Sequence, residues 1–238
     1  MAGGRGSRLA PYTTVLPKPL MPLGDRPILQ VLIEQLRGAG VEGITISMGH
    51  MAGLIESWIQ HNGTLGVIDF VVEPTPLGTA GALALMERPR TTFLALNGDV
   101  LTTLDFEDLA RRHRSSGAIA TVAVNERVVN VQYGVVHTDA DGRIVRLEEK
   151  PQLRYRVSMG IYAMEPEIVD LIEPGERIDF PDLLLRAIGS GHQVGTYEHS
   201  GYWRDIGNRD DYESAILDFE ADPGRFTPGD AGSSPSTR

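Results

Sequence analysis

The 238-residue chain carries a formal net charge of −10, with 41% hydrophobic residues and no cysteine. This composition indicates globular structure of one large or two small domains, and it excludes disulfides and zinc–thiolate sites. The negative net charge argues against binding to nucleic acid or anionic membranes. The sequence has no signal peptide and no apolar run near ~20 residues, so we expect a cytoplasmic protein.

The first half alternates helical and extended patterns, which favours a layered α/β fold. Apolar residues at helical spacing follow Pro27, which suits a first helical turn, and Gly38 lies near the end of that pattern. The predicted elements in chain order are helix 27–39, strand 44–48, helix 51–59, strand 67–72, helix 77–86, strand 92–96, helix 104–114 and strand 118–124.

The pattern changes in the second half, where a hairpin over 133–138 and 144–147 turns at Asp141 and Gly142. The later elements are strand 157–164, helix 179–188, strands 193–197 and 202–206, and helix 209–219. We expect one domain over 1–220, with a mixed, mostly parallel Rossmann-like sheet and an antiparallel part. Its halves are 1–125 and 126–220, and the polar segment 221–238 is expected to be disordered.

A glycine-rich segment with positive side chains opens the chain. Gly3, Gly4 and Gly6 let the backbone approach a ligand closely, and free N–H groups there can bind an anion. Arg8 adds a permanent charge, and Lys18 is held between two prolines. A flexible basic terminus is the alternative, but the combination favours a phosphate-binding loop.

Two carboxylates follow short apolar strands, where α/β sheets bind their ligands. Asp99 ends the motif Asn-Gly-Asp, and Asp205 precedes Ile206 and Gly207. Carboxylates beside a phosphate loop suit Mg²⁺, although both residue types are also common in turns. Spacing alone does not show whether the two side chains meet.

Three further positions could contact a ligand. Glu73 precedes a turn of small residues that includes Gly78, and a base edge with adjacent N–H donors could bind this carboxylate. Glu149 and Lys150 could bind sugar hydroxyls and a phosphate, but a solvated charge cluster is the commoner outcome for such a run.

Together these segments resemble the sugar-1-phosphate nucleotidylyltransferases, or NDP-sugar pyrophosphorylases. The chain looks most like mannose-1-phosphate guanylyltransferases and related short bacterial enzymes. The matching motifs occur in the family's order over about residues 2–219, namely GGRGSRL at 3–9, PKPL at 17–20, LGTAG at 77–81, NGD at 97–99, YGVV at 133–136, EKP at 149–151, GIY at 160–162 and WRDIG at 203–207.

The resemblance implies that an NTP and a sugar 1-phosphate react to give an NDP-sugar and pyrophosphate. It also implies a nucleotidyltransferase fold with a nucleotide half (1–125) and a sugar-phosphate half (126–220). Arg8 would hold the leaving pyrophosphate, Lys18 would bridge the reacting phosphates, and Asp99 and Asp205 would bind Mg²⁺. The expected nucleotide site comprises Gly3, Gly4, Gly6, Ser7, Glu73 and Gly78, and the expected sugar-phosphate site comprises Gly134, Glu149, Lys150 and Gly160.

GTP is the favoured nucleotide, because Glu73 could accept from the adjacent N1–H and N2–H₂ donors of guanine. Two other functions stay open: a non-catalytic relative that binds nucleotide sugars and regulates a partner, and a glycosyltransferase of similar fold. The sugar is not specified, and homo-oligomer formation is left open.

Two features depart from the family. Only Met1 and Ala2 precede the glycine loop where relatives have a buried strand, so we expect either an upstream start or weak stability. No accessory C-terminal domain follows the last predicted helix, so assembly or regulation through one is not expected.

Overall fold

The computed structural model describes residues 1–4 and 6–227. The helices are α1 (Ile28–Gly38), α2 (Ala52–His61), α3 (Phe106–Ser116), α4 (Phe180–Gly189) and α5 (Arg209–Ala221). The strands are β1 (Pro22–Leu23), β2 (Arg26–Pro27), β3 (Thr45–Met48), β4 (Asp69–Val72), β5 (Phe93–Leu96), β6 (Val100–Thr102), β7 (Ala120–Asn130), β8 (Val135–Thr138), β9 (Ile144–Glu148), β10 (Gln152–Met164), β11 (Val194–Glu198) and β12 (Trp203–Asp205).

The central layer is a mixed sheet in which β3 pairs with β4, and β5, β10, β7 and β11 lie side by side. The first two residues join these groups. Ala2 forms a parallel bridge to Met48, while the Met1 α-amino group donates to the Leu96 carbonyl (2.8 Å) and Gly98 N–H donates to the Met1 carbonyl (2.9 Å). The hydrogen bonds of Met1 to Leu96 and Gly98 follow the pattern of parallel strands, so residues 1–2 run parallel to both β3 and β5. Strand β10 is antiparallel to its neighbours β5 and β7 and runs against the other strands of the sheet. The expected mixed, mostly parallel sheet is confirmed.

Helix α1 covers the β3 and β5 side of this sheet with an apolar stripe, because Leu29, Leu32, Ile33 and Leu36 recur at helical spacing and are buried. These side chains form one core cluster with residues of β3 and β10. A second cluster around Phe180 packs the α4 side of the sheet. The sheet is therefore covered on both faces, as a largely parallel sheet requires.

An antiparallel arm extends from the sheet. Strands β7 and β10 pair from Gln152↔Asn130 to Met164↔Ala120, and β8 and β9 form the predicted hairpin. Strands β7 and β10 both extend beyond their predicted ranges of 118–124 and 157–164. Their exposed outer ends pair with each other outside the core. The predicted boundary between the two halves, at residue 125, falls inside β7.

The helix predicted over 77–86 is wrong, because the structure has only a short 3-10 helix over Gly81–Leu85. The Ala80 and Gly81 N–H groups both donate to the Ile178 carbonyl (3.0 and 3.2 Å), and Gly78 is left-handed with φ 80°. The segment is thus tied to a distant loop instead of forming helical hydrogen bonds.

The sequence prediction places the start of disorder, at residue 221, too early in the chain. Pro223–Phe226 forms a 3-10 turn, and Phe226 is 1% exposed within a third core cluster. Residues 228–238 of that prediction lie outside the described residues. Among the described helices, we find none with the length and apolar character of a membrane span.

Candidate active site

A tight turn at Gly6 follows residues 1–2, which are hydrogen-bonded to β3 and β5. Gly6 is left-handed (φ 61°), and the Thr13 hydroxyl donates to its carbonyl (2.8 Å). A Cβ at Gly6 would lie 2.8 Å from the Thr13 methyl group. Leu9, fully buried, anchors the short Ser7–Leu9 helix and leaves Arg8 exposed. Gly6 therefore permits a close approach between this turn and Thr13.

Lys18 lies in the 3-10 turn Lys18–Leu20 that follows Pro17, and Pro19 fixes the next backbone angle. Its side chain, 12% exposed, forms an ion pair with the Asp99 Oδ2 atom. The two prolines thus restrict the backbone beside Lys18, and the ion pair holds its ammonium near the end of β5.

The strand pairing brings Asp99 and Asp205 together. In the antiparallel pair of β6 and β12, Asp205 lies opposite Val100, and Ile206 N–H donates to the Asp99 carbonyl (3.0 Å). The pKa of Asp205 is raised above its ordinary value of 3.8, first because surrounding protein shields it from water and then because the Asp99 carboxylate repels a second negative charge. Lys18 and Arg8 oppose this shift, so both positive side chains act on the Asp205 carboxylate.

This cluster fits a divalent cation. The Asp99 Oδ1 atom is buried and, within residues 1–4 and 6–227, has no hydrogen-bond partner, while Oδ2 contacts Lys18. A buried carboxylate oxygen without a partner is costly unless a ligand satisfies it. Within the described residues, no three His, Cys, Asp or Glu side chains are arranged so that they alone could hold a metal ion. Asp99 and Asp205 could therefore hold a divalent cation whose remaining ligands come from outside the protein.

Glu73 lies beside the glycine turn but is already engaged. Its Oε1 accepts from the Ser47 hydroxyl (2.6 Å), and its Oε2 accepts from Leu77 N–H (3.0 Å). A Cβ on Gly3 would lie 2.8 Å from Oε1. Glu73 therefore links the end of β3 to the following turn, and any contact with a base would add to these hydrogen bonds.

The turn with Gly78 is held by a residue that sequence reasoning missed. Asp179 accepts from the Thr79 N–H (2.7 Å) and the Thr79 hydroxyl (3.0 Å). A Cβ at Gly78 would lie 2.5 Å from the Ile178 carbonyl oxygen, so this glycine permits the close approach of two backbones. The available signal was an Asp just before a helix whose first turn contains Pro181, which is the pattern of an N-cap.

Gly160 lies beside Asn97, in an irregularity of β10 between Ser158 and Tyr162. It is left-handed (φ 68°), and a Cβ there would lie 2.5 Å from the Asn97 Nδ2 atom. Asn97, two residues before Asp99, donates its N–H to the Gly160 carbonyl (2.9 Å). This predicted sugar-phosphate residue is therefore next to the strand end that carries Asp99.

The other predicted sugar-phosphate residues lie on the antiparallel arm. Gly134 is next to Glu149, since a Cβ on it would lie 3.1 Å from Glu149 Oε2. Lys150 has a left-handed backbone (φ 44°) and an exposed side chain 4.0 Å from Glu149. Within the described residues, no hydrogen bond or ion pair joins these side chains to Lys18, so the structure does not bring them into the charged cluster.

Fold and site together define an α/β protein with a cluster of charged side chains at the ends of its strands. A family model described as nucleotidyl transferase matches residues 1–222. The chain belongs to this family.

Relatives of this chain are named for different nucleotides. A UTP–glucose-1-phosphate uridylyltransferase of Synechocystis sp. is 34% identical over 238 residues, which is 91% of this chain and 61% of the relative. A mannose-1-phosphate guanyltransferase of Yarrowia lipolytica is 36% identical over 227 residues, with 90% and 61% covered. The chain thus spans about three fifths of these relatives.

Solved structures agree in fold. HddC from Yersinia pseudotuberculosis superimposes with a TM-score of 0.69 at 28% identity, covering 92% of this chain and 96% of HddC. The same protein has been solved in complex with GMP-PN. A putative glucose-1-phosphate thymidylyltransferase from Bacillus anthracis has a TM-score of 0.71 at 24% identity, which supports the fold.

Proposed function

We propose that this chain is a sugar-1-phosphate nucleotidylyltransferase that makes an NDP-sugar and pyrophosphate from an NTP and a sugar 1-phosphate. The observation that carries the proposal is the meeting of Lys18, Asp99 and Asp205 beside the glycine turn. Membership in the nucleotidyl transferase family and the activities named for its relatives support it.

In this reaction an oxygen of the sugar phosphate attacks the α-phosphorus, and the bond from that phosphorus to the β-phosphate oxygen breaks. The attacking oxygen is already an anion, so no general base is required. Catalysis then depends on positioning and on neutralising charge.

The residues have distinct proposed roles. The triphosphate is held by backbone N–H groups of the glycine turn, namely those of Gly3, Gly4, Gly6 and Ser7. The exposed Arg8 side chain binds the leaving pyrophosphate. Lys18 exchanges part of its contact with Asp99 for the reacting phosphates. A divalent cation held by Asp99 and Asp205 would neutralise phosphate charge.

We further propose Mg²⁺ as that cation and GTP as the favoured nucleotide. The guanyltransferase relatives and the GMP-PN complex of HddC support guanine, as does the acceptor chemistry of Glu73. Gly134, Glu149, Lys150 and Gly160 would bind the sugar phosphate, and the arm that carries the first three would have to approach the cluster.

The test is pyrophosphate release by the purified protein with Mg²⁺, over a matrix of GTP, UTP and dTTP against several sugar 1-phosphates. We expect release that requires both substrates and is about tenfold faster with GTP. Lys18→Ala should lower kcat about 10²–10³-fold, the usual effect of removing one transition-state charge contact. Arg111→Ala, which removes an exposed ion pair with Asp108, is the matched control and should retain activity.

Each failure has a separate meaning. Tight binding of a nucleotide sugar without pyrophosphate release would favour the regulatory alternative. Transfer of sugar from an NDP-sugar to an acceptor would favour a glycosyltransferase. A tenfold preference for UTP or dTTP would reject only the guanine assignment.

A further inference from the structure

The antiparallel arm leaves the central sheet where β7 stops pairing with β11. The last main-chain pair of these two strands joins Val124 to Glu198, and the His199 N–H donates to the Val124 carbonyl (2.9 Å). Beyond this point β7 pairs with β10 in the arm, where residues 126–130 and 152–156 are exposed. A two-stranded ribbon has little stability of its own, so the direction of the arm depends on contacts at its base.

Two side chains of β7 make such contacts at the base of the arm. Asn125 Nδ2 donates to the carbonyls of His199 (2.7 Å) and Gly201 (3.4 Å). Arg127 Nη2 donates to the Trp203 carbonyl (3.2 Å). Alternate residues of a strand share a face, so both side chains lie on the same side of the arm. Alternate carbonyls of the segment that leads into β12 thus accept from side chains where the pairing of β7 with β11 has ended.

Arg127 also covers the ring of Trp203. Its guanidinium carbon lies 4.8 Å from the ring centroid, and the Trp203 indole N–H donates to the Met159 carbonyl of β10 (3.1 Å). A guanidinium over an indole face adds a cation–π attraction, and its planar fork can stack and donate at the same time. Met159 precedes Gly160, and Trp203 is two residues before Asp205. Arg127 therefore joins the arm to the strand that carries Asp205.

We propose that Arg127 is a positioning residue whose contact with Trp203 sets the position of the arm relative to β12, and thereby the binding of the sugar 1-phosphate. The inference rests on the proposed function, in which the arm residues Glu149 and Lys150 bind this substrate. Arg127 acts through Trp203 and the arm, without touching the substrate. The NTP is assigned to the glycine turn, so its binding should not depend on Arg127.

The arm offers a matched control on its other face. Arg154 lies opposite Val128 in the register of β7 and β10, so its side chain points away from the face that carries Arg127. It forms an exposed ion pair with Glu126 (2.6 Å). Replacing either arginine with alanine changes the net charge equally, but the Arg154 replacement leaves the contact with Trp203 in place.

The first test measures pyrophosphate release by the whole chain, with the most active NTP and sugar 1-phosphate each varied in turn. Arg127→Ala should lower kcat/KM for the sugar 1-phosphate about tenfold, since the arm loses a cation–π contact and a hydrogen bond. KM for the NTP should not change. Arg127→Lys keeps the charge without the planar fork, so it should restore part of the loss. Arg154→Ala should leave both constants unchanged.

The second test does not depend on turnover. In a Trp58→Phe background, Trp203 is the only tryptophan of the chain, and Arg127 covers one face of its ring. Arg127→Ala should make the Trp203 fluorescence more accessible to quenching by acrylamide. Arg154→Ala in the same background should not.

The two tests separate this inference from the proposed function. Unchanged kinetics for Arg127→Ala, or equal losses toward both substrates, would overturn the inference and leave the nucleotidylyltransferase assignment intact. If the unmodified chain releases no pyrophosphate, the proposed function fails, and the role of Arg127 toward the sugar phosphate fails with it. Quenching still decides whether Arg127 holds the arm to β12, and equal quenching of the two alanine variants would overturn that contact.

Discussion

At the scale of single residues, Asp205 shows how a site can work against stability. Its pKa is raised by burial and by Asp99, so the folded protein holds this proton to a higher pH than the unfolded chain does. The stability associated with the proton is fully present below about pH 3.8 and is lost as pH rises through the raised pKa. At neutral pH without metal, the ionised carboxylate therefore destabilises the fold.

Asp205→Asn should consequently raise Tm of the metal-free protein, with a gain that grows as pH rises above 3.8 and levels off above the raised pKa. The same variant should lose Mg²⁺-dependent pyrophosphate release, since the amide is a weaker ligand. Asp141→Asn, which alters an exposed carboxylate in the hairpin turn, is the control and should change neither. A lower Tm for Asp205→Asn at pH 8 would contradict the assigned cause of the pKa shift.

At the scale of elements, the turn around Gly78 is set by contact between backbones. Gly78→Ala combines a left-handed backbone with a Cβ 2.5 Å from the Ile178 oxygen, so we expect a loss of about 2–4 kcal/mol in unfolding free energy. Gly175→Ala is a matched control, because Gly175 has a similar φ of 77° and no atom within 4 Å of its Cβ position among the described residues. It should cost only about 1 kcal/mol. Chemical denaturation measures both, and equal losses would assign the effect to φ alone.

The sequence predicted most elements because local signals and tertiary packing agree there. Helix α1 was expected over 27–39 and lies at Ile28–Gly38, where an apolar stripe and terminal glycines coincide. The segment 77–86 misled the prediction, since its N–H groups bond to Ile178, about 100 residues away. Only the fold could reveal that partner.

The same distinction applies to the candidate site. The glycine turn and Lys18 were predictable from local composition, because glycine, arginine and proline have strong individual preferences. The meeting of Asp99 with Asp205 depends on β6 pairing with β12, which residue spacing does not encode. Asp179 was missed for the same reason, since its partner Thr79 is 100 residues away.

At the scale of the whole molecule, the third core cluster connects the elements of the candidate site to the turn over residues 223–226. It contains Leu9 below the glycine turn, Ile206 next to Asp205, and Phe226 from the last described turn. Phe226 stacks on Phe219 with ring centroids 5.7 Å apart and meets Tyr202 edge-on at 5.1 Å. The segment near residue 226 therefore contributes to the fold that supports the site.

Phe226→Ala should reduce the unfolding free energy by about 3–4 kcal/mol, because a large buried ring leaves a cavity that the cluster only partly fills. For a chain of this size the corresponding fall in Tm is roughly 6–15 °C. Leu217→Ala, on an α5 side chain that is 68% exposed, is the control and should change Tm little. If pyrophosphate release is then measured well below the new Tm, kcat should be retained, since Phe226 supports the charged cluster without touching it. A Tm unchanged by Phe226→Ala would mean that the C-terminal turn is not part of the cooperative core.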